Sequence, residues 1–238
     1  MSDSDVGKKL VEEDDMSVKK GEFDFDPEII PTLGWISSVR AYLEEIETIM
    51  PSAKHRAINQ LSETTKREKW DTATIELETA ILESNFDDHF PRLLRYSIVT
   101  LLHTVVETQM FRLANYLRQK QGLSLTVNDC RGRGIKRTKL YLNKVVILNI
   151  ADDPAWKKLC DLNDLRDIVV HRGGLQGPGK HQQEVVRRLI KEYNGGLSLL
   201  GPEDGSESEI EVSQDFCRCF LDTIEQFFRR LFQKAGML

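Results

Sequence analysis

No run of apolar residues approaches the roughly 18 that a membrane-spanning helix needs. The richest stretch, Tyr96 to Val106, is interrupted by Thr100, His103 and Thr104. Residues 1–25 are acidic and polar and lack the basic start and apolar stretch of a secretory signal. The cysteines, Cys130, Cys160, Cys217 and Cys219, form no C-x-x-C pair. That dispersion argues against a disulfide framework or a zinc site and suits the reduced thiols of a cytoplasmic protein. Glycine-rich phosphate loops are missing too. Gly132 to Lys136 lacks the Walker spacing, and Gly173-Gly174 follows no predicted strand. There is no nucleophile elbow and no internal repeat. Positive charge is not in excess either. The formal net charge of −5 excludes a uniformly basic nucleic-acid binder, while leaving room for a local basic patch.

What remains is a chain of globular composition. Its 238 residues, 40% hydrophobic and 30% charged, suffice for one large domain or two small ones with a real core. Residues 1 to about 28 carry charge without an apolar period and read as a disordered acidic N-terminus. Between 29 and 88 the pattern predicts a helical extension. Ile36, Val39, Leu43, Ile46 and Met50 share one face of a helix that Pro51 is expected to stop. Polar helical segments follow over 54–68 and 70–84.

The principal domain is expected over 89–238. Pro91 opens what reads as the longest helix, running to about Gln121. Its apolar residues cover more than half its surface, which places it in the middle of a bundle. A basic stretch follows: Arg131, Arg133, Lys136, Arg137 and Lys139. Helical spacing resumes from Leu140 to Ile150, and another helix covers about Pro154 to His171 before Gly173-Gly174. A short helix over 184–193 precedes two segments, 197–200 and 209–212, that can pair as a hairpin. Ser213 caps a last helix carrying Phe216, Phe220, Ile224, Phe227, Phe228 and Leu231. The fold class is therefore all-α, a helical bundle with a small β-hairpin appendage.

The segment Leu165 to Gly174 concentrates chemistry at the end of one helix. Asp167 and His171 are four apart and share a face, which Asp164 extends. Histidine exchanges protons near neutral pH, as proton transfer in RNA cleavage requires. Arg166 lies about 140° around the helix from His171, yet its long side chain can grip a phosphate with two donors. The spacing alone says little, because one Arg-x4–6-His arrangement is expected by chance in a chain of this composition. His171 as a helix-terminal cap and Arg166 as the partner of a core glutamate are the plain alternatives.

On these residues the chain resembles the HEPN superfamily. The likeness consists of a long helix with an inward glutamate, here Glu107, and a later helix carrying R-x4–6-H with a polar residue after the arginine, here Arg166-Asp167 and His171. A short extended segment near Ile210 to Ser213 leading into an aromatic last helix completes it, over about residues 90 to 235. The resemblance implies a helical bundle and a metal-independent endoribonuclease, with a toxin or defence effector as its biological role. It implies a homodimer with two motif helices facing one cleft, RNA as substrate and an antitoxin or other regulatory protein as partner. Arg166 would stabilise the phosphate, His171 would act as general base or acid, Asp167 and Glu107 would orient the pair, and no cofactor is needed. A catalytically silent module that binds RNA or protein is the alternative. Two departures stand out. The residue after the arginine is aspartate where the family more often has asparagine, and Gly173 stands where members regulated by a partner nucleotidyltransferase have tyrosine.

Two further groups carry open readings. His103 and Glu107, one turn apart, form either a buried structural pair or two ligands of a metal site for which no third ligand is recognisable. A buried Glu107 would need a partner, with Arg166 the obvious one. The basic stretch from Arg131 to Lys139 suits an RNA backbone or a solvated loop equally.

Overall fold

The computed structural model describes residues 28–150, 152–201 and 208–238. The expected disordered N-terminus lies outside them except for its last position. The helices are α1 (Ile29–Glu68), α2 (Thr72–Ser84), α3 (Phe90–Gln121), α4 (Gly134–Lys144), α5 (Ala155–Arg172), α6 (Lys180–Glu192) and α7 (Gln214–Lys234). Strands β1 (Leu197–Leu200) and β2 (Glu209–Val212) pair antiparallel, with Leu197 opposite Val212 and Leu200 opposite Glu209. The fold is all-α with a small β appendage. Among the described residues, no helix is long and apolar enough to cross a membrane.

Helix α3 is the axis. Leu94, Ile98, Val99, Leu102, Val105, Val106, Met110, Leu113 and Leu117 are all buried, an arc too wide for a surface helix. Helices α1, α4, α5 and α7 pack around it. Gly122 ends it in the left-handed conformation at φ 65°. Helix α7 brings the largest apolar side chains: Phe220, Phe227, Phe228 and Phe232 are sealed from solvent, and each such burial contributes about 1.5–3 kcal/mol. Ser213 accepts a hydrogen bond from the Phe216 N–H at 3.0 Å and so fixes where that helix begins.

The structure corrects three readings of the sequence. First, α1 is the longest helix, at 40 residues against 32 for α3, and it runs through Pro51. Proline inside a helix costs about 3 kcal/mol. Anchors on both sides of the exposed Pro51 offset this: Leu43 in the core and Glu47 paired with Arg95 before it, Lys54 paired with Asp87 after it. Pro91 stands in the first turn of α3, as expected. A π-helical turn, Asn85–His89, carries α2 directly into it, and such a wider turn accommodates a residue that has no N–H to donate. Second, α4 starts at Gly134 and ends at Lys144. Beyond it Val146, Leu148 and Ile150 are buried while Ile147 and Asn149 are exposed, in a non-helical turn whose N–H groups bond back to Tyr141 and Leu142. Third, helix α6 begins earlier than its apolar residues suggest, at Lys180.

The segment expected as an N-terminal extension packs unevenly. Ile29, Ile36, Val39 and Leu43 enter the same core as α3 and α7. Ion pairs of Arg40 with Asp222 and of Glu44 with Arg218 tie that half of α1 to α7. The distal half of α1 buries only Thr65, and α2 buries nothing.

Candidate active site

Helix α5 buries Leu159, Leu162, Leu165, Ile168 and Val169. That leaves Asn163, Arg166 and Asp167 half-buried on its flank, where α3 presents His103 and Glu107. A hydrogen-bonded chain crosses between the two helices. His103 Nε2 lies 3.0 Å from Asn163 Oδ1. Asn163 Nδ2 donates to Asp167 Oδ2 at 3.4 Å, and Arg166 Nη1 donates to Asp167 Oδ1 at 2.9 Å. An amide oxygen can only accept, so the His103 ring proton belongs on Nε2. His103 is buried, and that burial lowers its pKa against the opposing pull of Glu107, which favours the neutral ring. Glu107 Oε2 is 3.9 Å from Nδ1, beyond hydrogen-bond range.

Glu107 is not the buried acid the sequence suggested, nor is it the partner of Arg166. Its side chain is 45% exposed, and the carboxylate against Arg166 is that of Asp167. Glu107 lies instead on a cavity of about 340 Å³ between α3 and α4, together with Thr108, Phe111, Asn128 and Arg137. Gly134 makes this approach possible. A Cβ there would stand 3.1 Å from Glu107 Oε1, and the residue sits at φ 52°. A second cavity, about 200 Å³ between α5 and α6, is lined by Asp164, Asp167, Arg172 and His181. Asp167 thus faces one cavity and Glu107 the other.

His171 stands apart from this cluster. It lies in the last turn of α5, exposed, ahead of Gly173 at φ 62°. Among the described residues it has no hydrogen-bond or ion-pair partner. The expected pairing with Asp167 is not made, because that carboxylate is committed to Arg166 and Asn163.

The basic stretch divides by environment. Arg131, Arg133 and Lys136 are exposed and form no ion pair among the described residues. Arg137 donates to the Gly132 carbonyl at 2.8 Å and to Asn128 Oδ1 at 3.3 Å, holding the loop before α4. Lys139 lies 4.2 Å from the Trp156 ring centroid, with its pKa lowered by burial. Helix α4 carries Lys136, Arg137 and Lys139, so they do not belong to a solvated loop, one of the two expectations for them.

Sequence reasoning does not find two members of the cluster as site residues. It marks His103 only as half of a structural or metal pair, and Asn163 not at all. The signal for Asn163 is its position four before Asp167 on the same helix face. Alongside, Arg188 reaches Asp164 at 2.8 Å and also Asp161, whose Oδ2 accepts from the Tyr193 hydroxyl at 2.9 Å. Among the described residues, no group of three or more His, Cys, Asp or Glu side chains could hold a metal ion. No family model matches this chain, and neither does any curated protein or solved structure.

Proposed function

We propose that the chain is a HEPN-like, metal-independent endoribonuclease acting as a homodimer, with Arg166 and His171 at its centre. The observation that carries this reading is the contrast along α5: a half-exposed guanidinium held in place by Asp167, and an exposed imidazole that no described residue engages. A histidine kept for packing would be buried or paired. In the reaction, His171 takes the proton of an RNA 2′-hydroxyl. The 2′-oxygen then bonds to phosphorus, and the 5′-oxygen leaves with a proton from a second acid. The products are a 2′,3′-cyclic phosphate and a 5′-hydroxyl. Arg166 meets the charge that builds on the phosphate oxygens. A twofold dimer supplies the second imidazole and brings Arg166 of one copy to His171 of the other, which the separation around one helix otherwise disfavours. Arg131, Arg133 and Lys136 hold the RNA backbone. The role is that of a toxin or defence effector held in check by an antitoxin or another regulatory protein.

A second reading has its own support. His103, Asn163, Asp167 and Arg166 satisfy one another internally, as a structural network does, which suits a silent module that binds RNA or protein. Incubation of the purified protein with assorted RNAs in EDTA, beside His171→Ala, separates the two. Cleavage by the native chain and its loss in the variant is the expected result. RNA binding without cleavage in either protein would favour the silent module.

A further inference from the structure

The most spacious of these cavities belongs to neither site. It encloses about 540 Å³ between α6 and the first strand, with Gln176, Arg187, Lys191, Asn194 and Ser198 among its lining residues. Two observations give it a chemical character. Gln176 is only 2% exposed, yet its side-chain Oε1 has no hydrogen-bond partner. Leaving a buried acceptor unpaired costs about 1–3 kcal/mol, so such a group calls for a reason. The backbone of Gln176 is firmly placed: its N–H donates to the Ser208 carbonyl at 2.9 Å, and its carbonyl accepts from Arg172 at 3.1 Å. The orphan oxygen therefore belongs to a residue whose backbone is bonded on both sides. Second, two cations on successive turns of α6 line the same cavity. Arg187 touches only the neutral Gln183, at 3.2 Å, and neither Arg187 nor Lys191 forms an ion pair among the described residues.

We propose that this cavity binds a small phosphate monoester that carries a hydroxyl or amine donor beside its phosphate. The phosphate lies on Arg187 and Lys191, and the donor completes Gln176 Oε1. A phosphate monoester carries close to two negative charges at neutral pH, which matches two unpaired cations better than a single carboxylate does. The volume lies within the range that small-molecule pockets take. This site is independent of the RNA-cleavage reading and stands or falls by itself.

Calorimetry with ribose 5-phosphate, inorganic phosphate and ribose tests it. Ribose 5-phosphate should bind, inorganic phosphate more weakly, and ribose not at all. Arg187→Glu combined with Lys191→Glu changes two exposed side chains and should abolish binding without lowering the melting temperature. Gln176→Leu removes an acceptor that has no partner, so the fold should hold. It should weaken ribose 5-phosphate roughly tenfold, one hydrogen bond's worth, while leaving inorganic phosphate unchanged. No binding of ribose 5-phosphate at millimolar concentration, or binding indifferent to the double charge reversal, would overturn the proposal. Equal losses for both anions in Gln176→Leu would overturn the role given to Gln176.

Discussion

The middle of α5 and its last turn differ in one physical respect. In the middle, the polar side chains that face neighbouring helices are partnered: Asp161 with Arg188 and Tyr193, Asn163 with His103, Asp167 with Arg166. In the last turn His171 has no partner among the described residues and faces solvent. Partnered polar groups fix how a helix packs, whereas an unpartnered exposed imidazole is available to a ligand. One helix therefore divides into a middle whose polar groups are partnered, with Arg166 half-exposed among them, and a last turn whose imidazole has no partner among the described residues. Substitutions at the buried Asp161 and at His171 should separate stability from activity.

The largest effect expected is on turnover. His171→Ala should lower RNA cleavage by about 10²- to 10⁴-fold, the usual contribution of general acid–base catalysis, with the melting temperature unchanged. A clear drop in melting temperature would erase the distinction between the two parts. Next comes stability. Asp161 is 3% exposed, and Asp161→Ala strands the Tyr193 hydroxyl, so urea denaturation should register a loss of about 1–3 kcal/mol. Arg188 adds little to that loss, since it is partly exposed and keeps Asp164. Cleavage per folded molecule should stay near that of the native chain.

A smaller effect should appear with pH. Burial lowers the pKa of His103 below its ordinary 6.5. Above pH 6.5 the ring is neutral in both folded and unfolded chains. As pH falls below it, the unfolded chain takes up the proton first, and stability declines towards the lowered folded value. Thermal unfolding between pH 7.5 and 5.5 should show this slope, and His103→Gln should flatten it. An identical slope in the variant would mean that another group is responsible. The smallest effect belongs to the basic surface. Removing Arg131, Arg133 or Lys136 singly should reduce the salt dependence of RNA affinity by about 0.7 in log–log slope for each phosphate no longer neutralised, with no effect on stability. A salt slope unchanged in all the single variants would remove the RNA backbone from that surface.

The elements that a sequence reader can find here are those whose side chains follow one period and whose ends carry a cap. Helix α7 shows both, with phenylalanines on one face and Ser213 at its start, and the β1–β2 register follows from two short apolar segments around a turn. Legibility fails where tertiary packing outweighs a local rule, as where α1 continues through Pro51. It fails again where a helix gives way to a turn. Leu140 to Ile150 joins a helical stretch, ending at Lys144, to a turn that contains Ile147, whose positive φ of 62° no pattern announces. The candidate site is legible as a helix end carrying Arg166, Asp167 and His171. Its wiring is not. Whether Asp167 turns to His171 or to Arg166 depends on Asn163 and His103 across the helix interface, and the close approach of Glu107 to the start of α4 depends on Gly134 having no Cβ.

The division of α5 is tested most directly by following the histidine ring signals in NMR while a non-cleavable 2′-O-methyl RNA is added. His171 resonances should move with RNA concentration and saturate, while those of His103, walled in by Asn163, stay in place. Movement of His103 with His171 unmoved would put the RNA against the middle of α5 and contradict the assignment of chemistry to its last turn.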